Sequence, residues 1–174
     1  MIKIPSDEEN IVEENSKIWE KIRTIRDNWN NPGKLTMLLA EWEEIGPSYG
    51  PDYNERASWL VGLHTRKNWA EIAINEASNT VDDLLDILWE SLRNVGGEYT
   101  VEKTNEGVQI YCTRCPIADK YRSISKERYG FLFHCVTDPH ITAGFCGPDI
   151  GFQRTKTLME GDDCCDHYYA FRKE

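Results

Sequence analysis

The sequence predicts an α+β fold in which N-terminal helices precede a small antiparallel sheet with an inserted helix. Apolar residues recur at helical spacing upstream of Gly96-Gly97, and downstream of this point their period shortens towards two. The chain has 174 residues and is 40% hydrophobic, so it can bury a core without disulfides. We therefore predict a single domain over residues 1–174, with a helical half at 1–95 and an α+β half at 96–174 that carries the Cys and His motifs.

The first two helices are predicted from a cap and from stop signals. Ser6 and Glu9 have the spacing of a capping box, and a stripe of apolar residues at helical spacing follows them. The Asn-Pro-Gly run at 31–33 is expected to end this helix. A second helix is predicted over residues 35–45, because the Gly-Pro pair at 46–47 stops it.

Two longer helical patterns follow. One runs over about 54–77, with Gly62 as its weakest position. The other begins at the capping residue Thr80, with Asp83 three residues later, and its apolar face continues until Gly96.

The second half of the chain is expected to form the sheet. An Asn-Glu-Gly turn at 105–107 lies between alternating segments at 99–103 and 108–112, which is typical of a β-hairpin. Cys115-Pro116 is expected to start a short connecting segment. Ser125 is expected to cap the inserted helix, which Asp138-Pro139 closes. The last two strands are predicted on either side of a Gly161-Asp162 turn.

Composition excludes some classes of function. With 30 acidic against 20 basic residues and no basic run, the chain lacks the positive surface that binding to nucleic acid or an anionic membrane requires. The N-terminus has no apolar signal region and no stretch approaches a membrane span, so we predict a cytoplasmic location. In that reducing compartment the six cysteines are interpreted as thiols or metal ligands, or as small buried apolar residues. The oligomeric state stays open.

The predicted last strand brings a thiol and an imidazole to one face. Side chains alternate along a strand, so one face is shared by Cys165, His167, Tyr169 and Phe171. An adjacent imidazole lowers the pKa of a thiol and makes it a better nucleophile. Asp162 or Asp163 can supply a carboxylate that orients the imidazole or acts as a general base, although Gly-Asp is also an ordinary turn sequence. This face therefore predicts a reactive thiol, a metal site or a polar ligand pocket.

The other cysteines offer a metal site as an alternative. Cys112 and Cys115 have the two-residue separation that lets both thiolates meet one zinc ion or one iron of an iron–sulfur cluster. No second pair with this spacing is present, and Cys146 and Cys165 are the candidates for further ligands. Cys135 lies beside apolar residues at helical spacing and is expected in the core.

The last strands carry a family resemblance. The run Arg-Thr-Lys-Thr-Leu-Met-Glu-Gly-Asp-Asp-Cys-Cys-Asp-His at 154–167 resembles the L-2-amino-thiazoline-4-carboxylic acid hydrolase family, together with Cys-Thr-Arg-Cys-Pro at 112–116 and Phe-His-Cys-Val-Thr-Asp at 133–138. The resemblance covers about the last 80 residues. It implies water attack on the C=N carbon of a small cyclic amidine, which opens the ring to a carbamoyl amino acid. On this hypothesis Cys165, His167 and Asp162 form the reacting centre, and Arg154 binds the carboxylate of a small-molecule substrate.

The same ending is also similar to 4-vinyl reductase domains, which bind ligands and metals. Gly161, Asp162 and Cys165 fit the end of that pattern, whereas Thr157 occupies the place of its earlier cysteine. A zinc site of that type therefore needs another ligand from Cys112, Cys115 or Cys146. The alternative function is a non-catalytic sensor or accessory domain whose aromatic residues line a ligand pocket.

Overall fold

The computed structural model describes residues 7–172, with side chains from Val12 onwards. It confirms the α+β fold, in which helices come first and a four-stranded antiparallel sheet follows. The capping box predicted at Ser6 and Glu9 lies outside the described residues. None of the described helices combines the length and the apolar character that crossing a membrane requires.

The first half of the described chain is helical. Its elements are α1 (Asp7–Asp27), α2 (Pro32–Ile45), a 3₁₀ turn (Gly46–Tyr49), α3 (Tyr53–Asn75), α4 (Val81–Leu84), a π-helical turn (Leu85–Trp89) and α5 (Glu90–Asn94).

The second half combines strands with short helices. Its elements are β1 (Glu98–Lys103), β2 (Gly107–Arg114), α6 (Pro116–Ser123), α7 (Glu127–Phe133), α8 (Asp138–Phe145), β3 (Ile150–Gln153) and β4 (Cys165–Phe171), with 3₁₀ turns at Cys135–Thr137, Gly147–Asp149 and Leu158–Glu160.

The apolar stripe of α1 packs into the core, as its spacing predicts. Ile18, Ile22 and Ile25 are at most 2% exposed. The Asn-Pro-Gly run at 31–33 lies beyond the end of α1, but its main role is to begin α2. The Asn31 side chain accepts a hydrogen bond from the Lys34 amide at 3.1 Å, and proline is suited to the first helical turn because its missing N–H has no partner there.

Close packing explains the glycine in the middle of α3. Gly62 does not interrupt the helix, and a Cβ built there would lie 2.3 Å from Nε2 of His140 on α8. The missing side chain therefore lets α3 and α8 pack closely, and these two helices form one of the main contacts between the halves.

The helical segment after Thr80 begins as predicted and then departs from regular geometry. Thr80 and Asp83 form a reciprocal capping box. The π-helical turn that follows was not indicated by the apolar pattern. It ends at Trp89, which is 3% exposed and donates its indole N–H to the Tyr169 hydroxyl at 3.0 Å. This bond ties the segment to β4.

The sheet has the strand order β1-β2-β4-β3, and every neighbouring pair is antiparallel. β1 and β2 form the predicted hairpin. β4 is paired on both sides, with Cys165 opposite Cys112 of β2 and Tyr169 opposite Phe152 of β3. The last strand of the chain is therefore a central one.

The connections between strands differ from the prediction. The connecting segment that starts at Cys115-Pro116 is helical, because Pro116 opens α6, and Asp138-Pro139 does not close a helix, because it opens α8. Proline at a helix start removes only an N–H that has no helical partner, so the same residue marks a start as readily as a stop. Ser125 is not the cap of α7; it adopts a φ of 54°, and Lys126 occupies the cap position.

The strand predicted directly before the Gly161-Asp162 turn is also wrong, because β3 ends at Gln153. Beyond it, one carboxylate oxygen of Asp166 accepts the backbone N–H groups of Thr155 and Lys156 at 2.8 and 2.5 Å. Those N–H groups are thereby removed from strand pairing. The segment becomes a folded loop that returns to β4 through Gly161, whose φ is 96°.

Candidate functional site

A cavity of about 300 Å³ lies between the helical half and the sheet, a volume at the lower end for small-molecule sites. Its apolar lining comes from Trp69, Leu88, Trp89, Leu92, Ile117, Ile141 and Met159. Its polar lining comes from Arg26, Cys112, Cys115, His134, Cys135, Thr137, Asp138, Arg154, Cys165 and His167.

β4 supplies two of the polar groups from its buried face. Cys165 and His167 are 7% and 6% exposed and both line the cavity, so the alternation along the strand places them as predicted. Tyr169 is buried on the same face, whereas Phe171 is 39% exposed near the end of the strand. Cys164 and Asp166 belong to the other face and do not line the cavity.

The carboxylate that meets the imidazole is Asp138. As the first residue of α8, it lies with Oδ2 at 3.1 Å from Nε2 of His167. The same oxygen accepts a hydrogen bond from Nη1 of Arg154, which also donates to the Cys135 carbonyl at 3.0 Å. Arg154 is therefore engaged with Asp138, and the two residues hold the end of β3 against the start of α8.

The Asp138 contact determines which nitrogen of a neutral His167 is the base. An ionised carboxylate can only accept hydrogen bonds, so the proton lies on Nε2 and the lone pair on Nδ1. Nδ1 is buried and has no hydrogen-bond partner among the described residues. The Trp89 ring and the imidazole pack in a T-shaped arrangement, with centroids 4.9 Å apart. The imidazole is thus held by a carboxylate and by an aromatic ring.

Four thiols share the cavity, and burial raises the pKa of each. Burial raises the pKa of Cys112 to about 12 and that of Cys115 to about 11, and it raises the pKa of Cys135 as well. Burial also raises the pKa of Cys165, and this rise is opposed by two hydrogen bonds. These thiols are therefore protonated at neutral pH.

Cys165 is the thiol with the most defined surroundings. Its Sγ accepts the Leu158 N–H at 3.2 Å and donates to the Thr157 hydroxyl at 3.7 Å. The same hydroxyl lies 3.9 Å from Sγ of Cys135. The loop between β3 and β4 therefore fixes the sulfur position. Cys135, expected in the core, instead lines the cavity.

The residues proposed as metal ligands are only partly brought together. Cys112, Cys115 and Cys165 line the same cavity, whereas Cys146 lines a different one beside Val108. Within residues 7–172 there is no group of three or more His, Cys, Asp or Glu residues arranged to hold a metal ion. Cys146 is separated because it follows the last residue of α8, whereas Asp138, which lines the first cavity, begins that helix.

The two acids of the turn lie away from the cavity. Asp162 is exposed, and its Oδ2 accepts the Thr157 N–H at 2.7 Å. Asp163 is exposed and pairs with Lys156 at 3.1 Å. Asp162 therefore shapes the loop that carries Thr157, while Asp138 provides the carboxylate beside His167.

Sequence reasoning missed Asp138 and Arg26. A signal for Asp138 was present, since an acid followed by proline also marks the first turn of a helix. Arg26 offered no such signal, because an arginine in the last turn of α1 is most simply explained by the helix dipole.

Comparison with known proteins identifies the family. A family model described as L-2-amino-thiazoline-4-carboxylic acid hydrolase matches residues 39–169. No curated protein and no solved structure matches the chain. The matched segment begins in α2 and ends in β4, so it extends well beyond the last 80 residues or so, and it includes the cavity residues other than Arg26. The match supports a hydrolase-type function, and the chain belongs to the L-2-amino-thiazoline-4-carboxylic acid hydrolase family.

Proposed function

We propose that this chain hydrolyses a small cyclic amidine, with His167 and Asp138 activating water and Cys165 acting at the ring nitrogen. The observation that carries the proposal is the 3.1 Å contact between Asp138 and His167 in a cavity that Cys165 also lines. Membership of a hydrolase family supports the reaction class.

His167 is the general base in this mechanism. His167 donates its Nε2–H to Asp138 and keeps the Nδ1 lone pair for a water molecule, which requires the buried Nδ1 to open to the cavity. The water oxygen adds to the C=N carbon while one of its protons passes to Nδ1. Asp138 then stabilises the imidazolium and keeps the ring oriented, and Arg154 keeps Asp138 in place.

Cys165 is the proton donor to the ring nitrogen. Burial raises the pKa of this thiol, so it holds a proton at neutral pH. As water adds, the C=N bond becomes a single bond and the nitrogen takes the Cys165 proton. The Leu158 N–H, 3.2 Å from the sulfur, then stabilises the thiolate that remains.

Collapse of the tetrahedral carbon completes the cycle. Its hydroxyl proton returns to Cys165 as the carbonyl forms. The ring bond from this carbon to sulfur or nitrogen breaks, and the departing atom takes the proton from His167. The product is a carbamoyl amino acid, and both residues regain their starting protonation.

The test compares Cys165→Ala with Cys165→Ser on 2-amino-thiazoline-4-carboxylate, with ring opening followed by mass spectrometry and free-thiol titration. We expect Cys165→Ala to lower kcat by about 10²–10³-fold, because general acid catalysis contributes on that scale. Cys165→Ser should retain part of the rate, because a hydroxyl also donates a proton.

The matched control is Cys164→Ala, which removes the adjacent thiol from the opposite strand face and should leave kcat unchanged. Full turnover by Cys165→Ala would remove Cys165 from the mechanism. A covalent mass increase on the wild-type chain during turnover, with Cys165→Ser as inactive as Cys165→Ala, would make the thiol a nucleophile instead.

A further inference from the structure

Arg26 is a cation in the cavity wall without a protein counter-ion. Its Nε is buried and has no hydrogen-bond partner among the described residues. Each ion pair found in that part of the chain involves other residues. The nearby groups that influence it electrostatically are Tyr121 and Asp27, and Asp27 is exposed.

The charges around the cavity leave Arg26 in excess. Asp138 is the sole carboxylate among the described residues that line the cavity, and Arg154 is already bound to it. His134 is neutral, because burial and the charge of Arg26 lower its pKa to about 3. The cations that line the cavity therefore exceed its carboxylates by one charge.

Arg26 is half-buried, and its buried Nε carries a desolvation cost that no ion pair or hydrogen bond repays. Burial lowers the pKa of Arg26, but a guanidinium still keeps its proton in proteins. A ligand anion would supply the missing partner, and the planar donor fork of arginine matches a carboxylate.

Access to Arg26 is also available from a second cavity. That cavity, of about 670 Å³, adjoins the first and shares with it the residues Arg26, Trp69, Ile117, His134 and Ile141. Arg26 thus lines both cavities.

We propose that Arg26 binds the carboxylate of the substrate and thereby directs the reacting carbon towards His167 and Cys165. The orientation of the ligand in this assignment rests on the proposed function. The inference that the ligand is an anion rests on the unpaired charge of Arg26. Arg26 thus takes the role of carboxylate partner that was expected for Arg154, and it lies outside the segment that matches the family. Specificity for an acidic substrate is therefore supplied by α1.

A binding measurement tests the assignment without turnover. The probe is thiazolidine-4-carboxylate, a saturated ring that lacks the C=N bond, and its carboxamide is the matched ligand. Binding is followed by isothermal titration calorimetry, supported by the fluorescence of Trp69 and Trp89 in the cavity. We expect the wild-type chain to prefer the carboxylate by about 10- to 100-fold, the scale of a charge-assisted hydrogen-bond pair.

Substitutions locate the preference. Arg26→Gln should abolish it by weakening the carboxylate and not the carboxamide, and Arg26→Lys should retain part of it because the charge stays but the fork is lost. Lys17→Gln is the control, since it removes a positive charge from the same helix at an exposed residue that is paired with Glu13 and lines neither cavity. Equal binding of both ligands by the wild-type chain would overturn the proposal even if Arg26→Gln failed to fold.

Two further outcomes are decisive. Tighter binding of inorganic phosphate than of the carboxylate would overturn the carboxylate assignment in favour of a phosphate site. A chain that binds the carboxylate through Arg26 but opens no cyclic amidine would confirm this site and contradict the proposed function.

Discussion

The helical half and the sheet half of this protein bury different kinds of residue. α1 and α2 bury aliphatic side chains, with Ile18, Ile22, Leu35 and Leu39 each at 0% exposure. The inward face of β4 buries a thiol, an imidazole and a phenol. The first half therefore contributes mainly hydrophobic stabilisation, and the second half holds most of the polar chemistry.

The boundary between the two halves is where function is expected. Arg26, Trp69 and Trp89 extend from the helical half into the cavity, and Trp89 contacts the His167 ring directly. Members of both halves also belong to one hydrophobic cluster. The helices of the first half, although apolar in their own packing, therefore help to set the shape and the charge of a site whose reacting groups come from the second half.

Asp138→Asn should produce the largest loss of function. The amide nearly preserves the shape of the side chain but does not stabilise an imidazolium, so we expect kcat/KM for ring opening to fall by about 10²–10⁴-fold. Circular dichroism should show a folded chain. Asp149→Asn changes an exposed acid beyond the other end of α8 and should leave kcat/KM unchanged. Wild-type kcat/KM in Asp138→Asn would contradict the role of the acid.

Ile22→Ala should lower the stability of the fold and leave the catalytic rate unchanged. The side chain is fully buried in α1, so its truncation should lower the free energy of unfolding by about 2–5 kcal/mol, measured by urea denaturation. Well below the unfolding midpoint, kcat per folded molecule should match wild type. A large drop in kcat there would show that the two halves are more strongly coupled than their composition indicates.

Gly62→Ala tests whether the helical half positions the acid. The new methyl would meet the His140 ring, two residues after Asp138 on α8, so α3 and α8 must separate. We expect about 1–3 kcal/mol of destabilisation and a several-fold fall in kcat.

Gly33→Ala is the matched control for this change. Its Cβ would lie no closer than 3.8 Å to Asn31 Oδ1, so stability should stay the same or rise slightly. Destabilisation without any change in kcat for Gly62→Ala would mean that α8 keeps Asp138 in place despite the clash.

His134 should give the smallest effect, in the pH dependence of stability. Its pKa of about 3 lies below the ordinary 6.5, so the unfolded chain takes up the proton first as the pH falls. The contribution of His134 is fully present above about pH 6.5 and is lost progressively towards pH 3, by at most about tenfold in the unfolding constant per pH unit. Urea denaturation between pH 6.5 and 5 should therefore show a shallower loss of stability for His134→Gln. Parallel profiles would contradict burial of the neutral ring.

Much of the fold follows from local sequence chemistry. The sequence predicted the helix cap at Thr80, the hairpin around 105–107 and the shared face of Cys165 and His167, because each depends on residues close in sequence. The starts of α6 and α8 were misread because proline fits both the end and the beginning of a helix. The similarity to 4-vinyl reductase domains stays a prediction, and so does a zinc or iron–sulfur role for the cysteines.

The sequence by itself determined the fold class, the family resemblance and the strand that presents the thiol and the imidazole, because these depend on periodicity and on contiguous motifs. Only the tertiary structure decided that Asp138 rather than Asp162 meets His167, that Arg154 is engaged with Asp138, and that Arg26 faces the cavity unpaired. Such contacts join side chains far apart in the chain. They depend on how α1, α8 and β4 pack around a common core, which no local pattern records.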